Sequence, residues 1–259
     1  MTNVNGLGHT NEATGEAPYI LLLLDVLGFE GLLRARGLQT TRDLYDELIQ
    51  FVRQQDGGVS VVPIPDEGGV VHPAVGWLTV DQCYFSDTLM FWTPFSHLSV
   101  WGFLEMSGEI VCRCLELGFP VRGAIAVGSA VLDKNTGVYL GEPLVEAARV
   151  ERAGRWIGVS LGPSFSAPPY NRNLPLNSVL AYRGHQKVLD DPLITGLVLD
   201  WPRVWRSSRT SDLLATLKSY DVDLRYASYY AATRTFVEYS AKNHDWYLCR
   251  DRMPIEKAG

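Results

Sequence analysis

Residues 19–24 form an uninterrupted apolar run closed by Asp25, the pattern of a strand covered on both faces. The segment from Asp25 to Phe29 reads as a turn that opens a helix. Leu32, Leu33, Leu44, Leu48, Ile49 and Val52 supply the apolar positions beyond it, and Gly37 with Thr40 and Thr41 predicts a break between two helical pieces. Glycines and prolines mark residues 54–75 as a long excursion holding a short hairpin through 59–64. Strands are predicted over 76–85 and 88–92, and a helix over 96–117 that stops at Gly118. A further strand covers 120–132 and turns at 133–137. Residues 144–153 read as a helix, 156–161, 178–182 and 193–199 as strands, and 211–218 and 223–242 as closing helices. The order β-α-β-β-α-β predicts a ferredoxin-like α/β core elaborated at both ends.

Composition narrows what this core can bind. The 259 residues carry a net charge of −6, so no general attraction to nucleic acid or to an anionic membrane is expected. A polyanionic ligand then needs local positive charge or metal ions. Cys83, Cys112, Cys114 and Cys249 do not form a zinc pattern. Cys112 and Cys114 fall in an apolar helical stretch, which predicts buried reduced thiols and a cytoplasmic setting. Residues 1–17 read as a flexible polar tail. They lack the basic stretch and apolar core of a signal peptide, and the run 19–24 is too short to span a bilayer.

The candidate chemistry lies at two aspartates. Asp25 ends a buried strand, at the edge where open α/β sheets bind ligands. The N–H groups from Val26 to Phe29 then head a helix, where phosphate oxygens are favoured, and Gly28 leaves room for close approach. Asp25 also suits a plain helix N-cap. Asp87 sits in a Ser-Asp turn between apolar segments, which is equally an ordinary hairpin. In a β-α-β-β core, however, the first strand and this hairpin can lie side by side. Two carboxylates at one edge repel each other unless they bind cations, and such a pair suits two Mg²⁺ or Mn²⁺ ions sharing phosphate oxygens.

The ordered motifs Asp25-x-x-Gly28-Phe29, Phe85-Ser86-Asp87, Val121-Arg122-Gly123-Ala124-Ile125-x-x-Gly128 and the run from Gly141 to Glu151 resemble those of class III nucleotidyl cyclases. More narrowly, they are similar to the pyrimidine cyclases of bacterial anti-phage (Pycsar) systems. The resemblance covers residues 19–162. It implies a cyclase catalytic domain over 18–205, an antiparallel-rich sheet with helices, and a C-terminal helical extension over 206–259 packed on the same domain.

It also implies a two-metal conversion of UTP or CTP to the 3′,5′-cyclic monophosphate and pyrophosphate, as an anti-phage signal. Asp25, Asp87 and the Val26 carbonyl would hold the ions, and the backbone of Leu27, Gly28 and Phe29 the phosphates. Arg149 matches the family's transition-state arginine, although an ion pair with Glu146 on the same helix is its plain reading. Arg122 matches an arginine opening the family's fourth strand, and could equally be structural. The family's purine-reading positions fall at Cys83 and near Val138, and its ribose-orienting asparagine at Val145. These apolar replacements point to a pyrimidine. Tyr45 is a candidate for stacking on the base and also a natural core residue. The family further implies a head-to-tail homodimer with composite sites and an effector that binds the cyclic nucleotide, with neither nucleic acid nor membrane as partner.

Two other readings compete. Gly158-x-Ser160-x-Gly162 satisfies the hydrolase nucleophile pattern, with His185 or His244 as base. The prolines at 163, 168 and 169 argue against the long helix that motif needs. The other is a non-catalytic, nucleotide-binding cyclase-like domain. Arg203, Arg206 and Arg209 read as a solvated basic face.

Overall fold

The computed structural model describes residues 17–55, 58–65, 71–167, 170, 177–188, 191–220 and 223–243. All of the tail expected over 1–17 except Ala17, together with Cys249 and His244, lies outside them.

The apolar run becomes β1 (Ala17–Val26), longer than expected and central in the sheet. Its alternate side chains face two cores. Ile20, Leu22, Leu24 and Val26 enter the larger one, while Leu21 packs with Met90, Trp92, Ala147 and Val150 in the smaller. A strand sandwiched in this way has no polar face, which is why its sequence shows no alternation. α1 (Phe29–Arg36) and α2 (Leu38–Gln55) follow, broken at Gly37 as predicted. The stretch 59–64, expected to be a short hairpin, is instead one strand, β2 (Gly58–Pro65), paired with β3 (Val71–Leu78) as a separate two-stranded sheet. The strand expected over 76–85 is thus divided between β3 and β4 (Asp81–Phe85).

β5 (Thr88–Pro94), α3 (His97–Glu116) and β6 (Val121–Asp133) complete the β-α-β-β-α-β unit. Ser96 caps α3 in a reciprocal bond pair with Ser99, which satisfies two donors at that helix end. The sheet order is β4-β5-β1-β6-β8-β10-β9, with β7 (Val138–Gly141) paired to β6. Among the described pairs within it, only β6 with β8 (Gly158–Leu161) is parallel. The first four strands therefore stand in the order second, third, first, fourth of a ferredoxin-like unit. α4 (Glu142–Ala153) covers one face, and β9 (Val179–Ala181) and β10 (Leu197–Leu199) extend the edge.

Three further helices, α5 (Trp201–Ser208), α6 (Leu213–Ser219) and α7 (Ala227–Asn243), close the described chain. α5 was not predicted, and it crosses the domain boundary expected at 205. It presses against α3 so closely that a Cβ on Gly108 would stand 2.7 Å from Val204 Cγ2. The basic cluster is not a solvated face. Arg209 pairs with Glu109 and Glu116, Arg203 with Glu105, and Arg206 donates to Ser240 Oγ at 2.9 Å. These contacts tie α5 to α3 and α7. Cys112 and Cys114 are buried free thiols whose pKa burial pushes up. Among the described residues no helix is long and apolar enough to cross a membrane.

Candidate active site

Sheet register brings the two aspartates together. Asp25 stands opposite Thr88 on β5, and Asp87 is the turn residue just before it. That turn is held from two sides. Val26 N–H donates to the Asp87 carbonyl at 2.9 Å, and Tyr45 Oη to the Ser86 carbonyl at 2.9 Å. Ser86 adopts a φ of 55°, an uncommon conformation for a non-glycine residue that such anchoring can maintain. Both carboxylates line one cavity of about 420 Å³ at the amino end of α1.

Asp25 is not the helix cap. Gly28 holds that position at φ 70°, so Asp25 remains inside β1 with its carboxylate free for other partners. On its other side β6 places Arg122 directly across. Arg122 Nε lies 3.2 Å from Asp25 Oδ2 and also pairs with Glu151 of α4, a carboxylate only 6% exposed. Burial raises the pKa of Asp25, Arg122 opposes that rise, and Asp87 adds to it. Glu151 is likewise raised by burial, against the pull of Arg122. Burial thus disfavours the charged forms of Asp25 and Glu151, and a bound cation would offset that cost at Asp25.

Lys187 also lines this cavity. Its segment is fixed to the end of α4 by Lys187 N–H to the Ala153 carbonyl, 3.0 Å, and Arg155 N–H to the His185 carbonyl, 2.8 Å. Burial lowers its pKa, and Arg122 adds to the effect. From the C-terminal region come Arg225, Tyr226 and Tyr229. The Arg122 guanidinium sits 5.7 Å from the Tyr229 ring centroid.

The expected phosphate donors divide. Val26 N–H is used by Asp87, and Leu27 N–H donates to the Pro120 carbonyl at 2.8 Å. Leu27 is therefore not a phosphate donor. Gly28, Phe29, Glu30 and Gly31 carry the first-turn N–H groups, which have no acceptor within the helix. Arg149 is exposed on α4 and does not line the cavity of its own chain. Its expected partner Glu146 instead accepts from Ser164 Oγ at 2.7 Å and from Ser164 N–H at 3.0 Å. Tyr45 does not line this cavity. It packs edge-on against Phe29, Tyr84 and Phe119, bracing the hairpin turn.

Among the described residues no group of three or more acidic, histidine or cysteine side chains is placed to enclose a metal. The donors that are present still fit divalent ions. Mg²⁺ is commonly held by one or two carboxylates together with substrate phosphates and water, and Asp25 with Asp87 supplies that number on one cavity wall.

The hydrolase pattern has a real geometric partner and no chemistry. Ser160 Oγ lies 2.9 Å from His185 Nε2, but the two residues are only 3% and 1% exposed. Ser160 is within β8 rather than on an elbow. His185 Nδ1 has no partner among the described residues, and burial pushes the imidazole pKa down to about 3. The ring stacks on Trp156 with centroids 4.4 Å apart. Among the described residues no acid orients this base, and burial closes the serine to substrate.

Sequence reasoning did not single out Glu151, Lys187, Arg225, Tyr226 or Tyr229 as site residues. Glu151 closes a motif already singled out, so a buried partner for Arg122 was the available signal. The tyrosines carried none, since they reach the site only through the docking of α7.

No family model and no curated protein matches the sequence. Among solved structures the chain is similar to a bacterial light-regulated adenylyl cyclase, with 13% identity, 58% of this chain and 44% of the other covered, and a TM-score of 0.40. It is also similar to a class III adenylyl cyclase-like ATP-binding protein from Pseudomonas aeruginosa, at 14% identity over 88% of this chain and 44% of that one, with a TM-score of 0.42. The match therefore spans less than half the length of either structure.

Proposed function

We propose that the chain is a nucleotidyl cyclase that converts UTP or CTP to the 3′,5′-cyclic monophosphate and pyrophosphate, serving as an anti-phage signal. The observation that carries this reading is the meeting of Asp25 and Asp87 in one cavity at the amino end of α1. Asp25, Asp87 and the Val26 carbonyl would hold two Mg²⁺ or Mn²⁺ ions. Such ions, when bound, lower the pKa of the ribose 3′-hydroxyl and neutralise phosphate charge.

The chain's own groups account for the rest. First-turn N–H groups at Gly28 and Phe29 face the phosphates, and Lys187 and Arg122 add positive charge to the cavity. The ribose 3′-oxygen attacks the α-phosphorus in line and loses its proton to solvent. The bond from that phosphorus to the bridging oxygen breaks, and pyrophosphate leaves with the electron pair. Holding both ends of this displacement in place is the main catalytic contribution.

Arg149 completes the site from a second protomer in this reading. Val145 is 51% exposed on α4, and Val138 and Leu140 are 40% and 62% exposed on neighbouring β7. Exposed apolar side chains on α4 and β7 support a head-to-tail homodimer in this reading. The cyclic product would then act on a separate effector.

A non-catalytic nucleotide-binding domain is the competing reading, favoured by the ion pair that Arg122 makes with Asp25. Turnover separates the two. Purified chain with Mn²⁺ and a pyrimidine triphosphate should yield cyclic nucleotide and pyrophosphate in equal amounts. Tight binding of the triphosphate without any pyrophosphate release favours the non-catalytic domain.

A further inference from the structure

Arg122 holds one carboxylate more than a simple ion pair needs. Sheet register gives it two lateral neighbours, Asp25 on β1 and Gly158 on β8, and neighbours in register share a face. Gly158 offers no side chain, so the sheet itself pairs the guanidinium with Asp25, at 3.2 Å. α4 supplies the second carboxylate. Glu151 reaches Arg122 from the last turn of that helix.

Glu151 does not line the acidic cavity, and its Oε1 has no hydrogen-bond partner among the described residues. Arg122 is the strongest of the charges that offset its burial. Desolvating two charges costs about as much as their attraction returns, so stability is a weak reason for placing a carboxylate here.

The charges around the cavity show what it changes. Glu30 is matched by Arg34, and Arg225 by Asp223, each at 2.6 Å. Asp25, Asp87 and Glu151 then face Arg122 and Lys187, which leaves these groups with one negative charge in excess. Without Glu151 the two signs would balance, and Arg122 would close on Asp25 alone. An entering cation would then have to displace a guanidinium that had no other partner. With Glu151 present, the guanidinium stays paired when it gives up Asp25.

We propose that Glu151 is a positioning residue for the candidate metal site: it holds Arg122 and carries its charge, leaving the Asp25 carboxylate to a divalent cation. The inference rests on the reading that Asp25 and Asp87 bind divalent ions. It goes beyond that reading by assigning a function to a carboxylate outside the cavity.

The test is Mn²⁺ binding by the full chain without nucleotide, read from the paramagnetic resonance signal of free Mn²⁺. Binding that is lost in Asp87→Asn defines the site. Glu151→Gln keeps the shape of the side chain and removes its charge, and should weaken that binding about 10-fold or more. Glu151→Met, a second neutral variant, should do the same. Arg122→Met combined with Glu151→Met removes both charges together, an exchange that buried pairs tolerate. This double variant should return Mn²⁺ affinity to within about threefold of wild type. A purely structural role for Glu151 predicts instead that the double variant binds no better than Glu151→Met. Thermal melts establish that each comparison is between folded chains.

Unchanged Mn²⁺ affinity in the neutral variants, no recovery in the double variant, or no Asp87-dependent binding in the wild-type chain each overturns the inference. Failure of the cyclase reading is distinguishable from these. It appears as missing cyclic product while Mn²⁺ binding and its dependence on Glu151 persist.

Discussion

Asp25 is subject to opposed influences that set what its cavity accepts. Burial and Asp87 raise its pKa, while Arg122 pulls it down. A divalent cation adds to the pull of Arg122, and neutralising either aspartate weakens its hold. Asp25→Asn or Asp87→Asn should therefore lower turnover by on the order of 10³-fold, several kcal/mol of lost charge stabilisation, as measured by pyrophosphate release. His185 makes a separate prediction at the same scale. Its folded pKa of about 3 lies below the unfolded value near 6.5, so the unfolded chain takes up the proton first. The stability this group contributes is complete above about pH 7 and is lost as pH falls toward 3. Between pH 7 and pH 5 the loss amounts to about 2 kcal/mol. Denaturant unfolding at both pH values should show that increment in the wild-type chain and not in His185→Gln.

Elements with strong periodicity or clear punctuation were legible from sequence. β1 announces itself by its unbroken apolar run, α3 by its length and by Gly118, and the α1–α2 break by Gly37. β7 was missed because four residues are too few to show alternation. α5 was missed because it is eight residues long with Pro202 in its first turn, where proline marks a helix start as readily as a break. The packing of α5 on α3 is a property of neither sequence segment alone, yet it fixes one residue choice. Gly108→Val should push against Val204 and cost about 1–3 kcal/mol by overpacking. A thermal melt should show this as a fall of several degrees.

At the scale of the whole molecule, the site gathers residues from Asp25 to Tyr229, brought together by sheet register, the docking of α7 and the loop that carries Lys187. The two aspartates could be paired from sequence because the β-α-β-β order already sets their strands side by side. Lys187 could not be placed, since its position depends on a loop held to the end of α4 by backbone bonds, which leave no trace in residue type. Arg149 stands outside the cavity of its own chain, so the proposed dimer makes a quantitative prediction. Equal mixing of inactive Asp25→Ala and Arg149→Ala chains, with exchange of protomers, should restore about a quarter of wild-type activity. Half the dimers are then mixed, and each of these has one intact site of two. No recovery would count against a composite site.

The most direct measurement incubates the purified chain with Mn²⁺ and each of the four ribonucleoside triphosphates, identifying products by mass, with Asp87→Ala alongside. The account predicts 3′,5′-cyclic UMP or cyclic CMP from the wild-type chain and none from the variant. Absence of any cyclic nucleotide, or full product from Asp87→Ala, would contradict it.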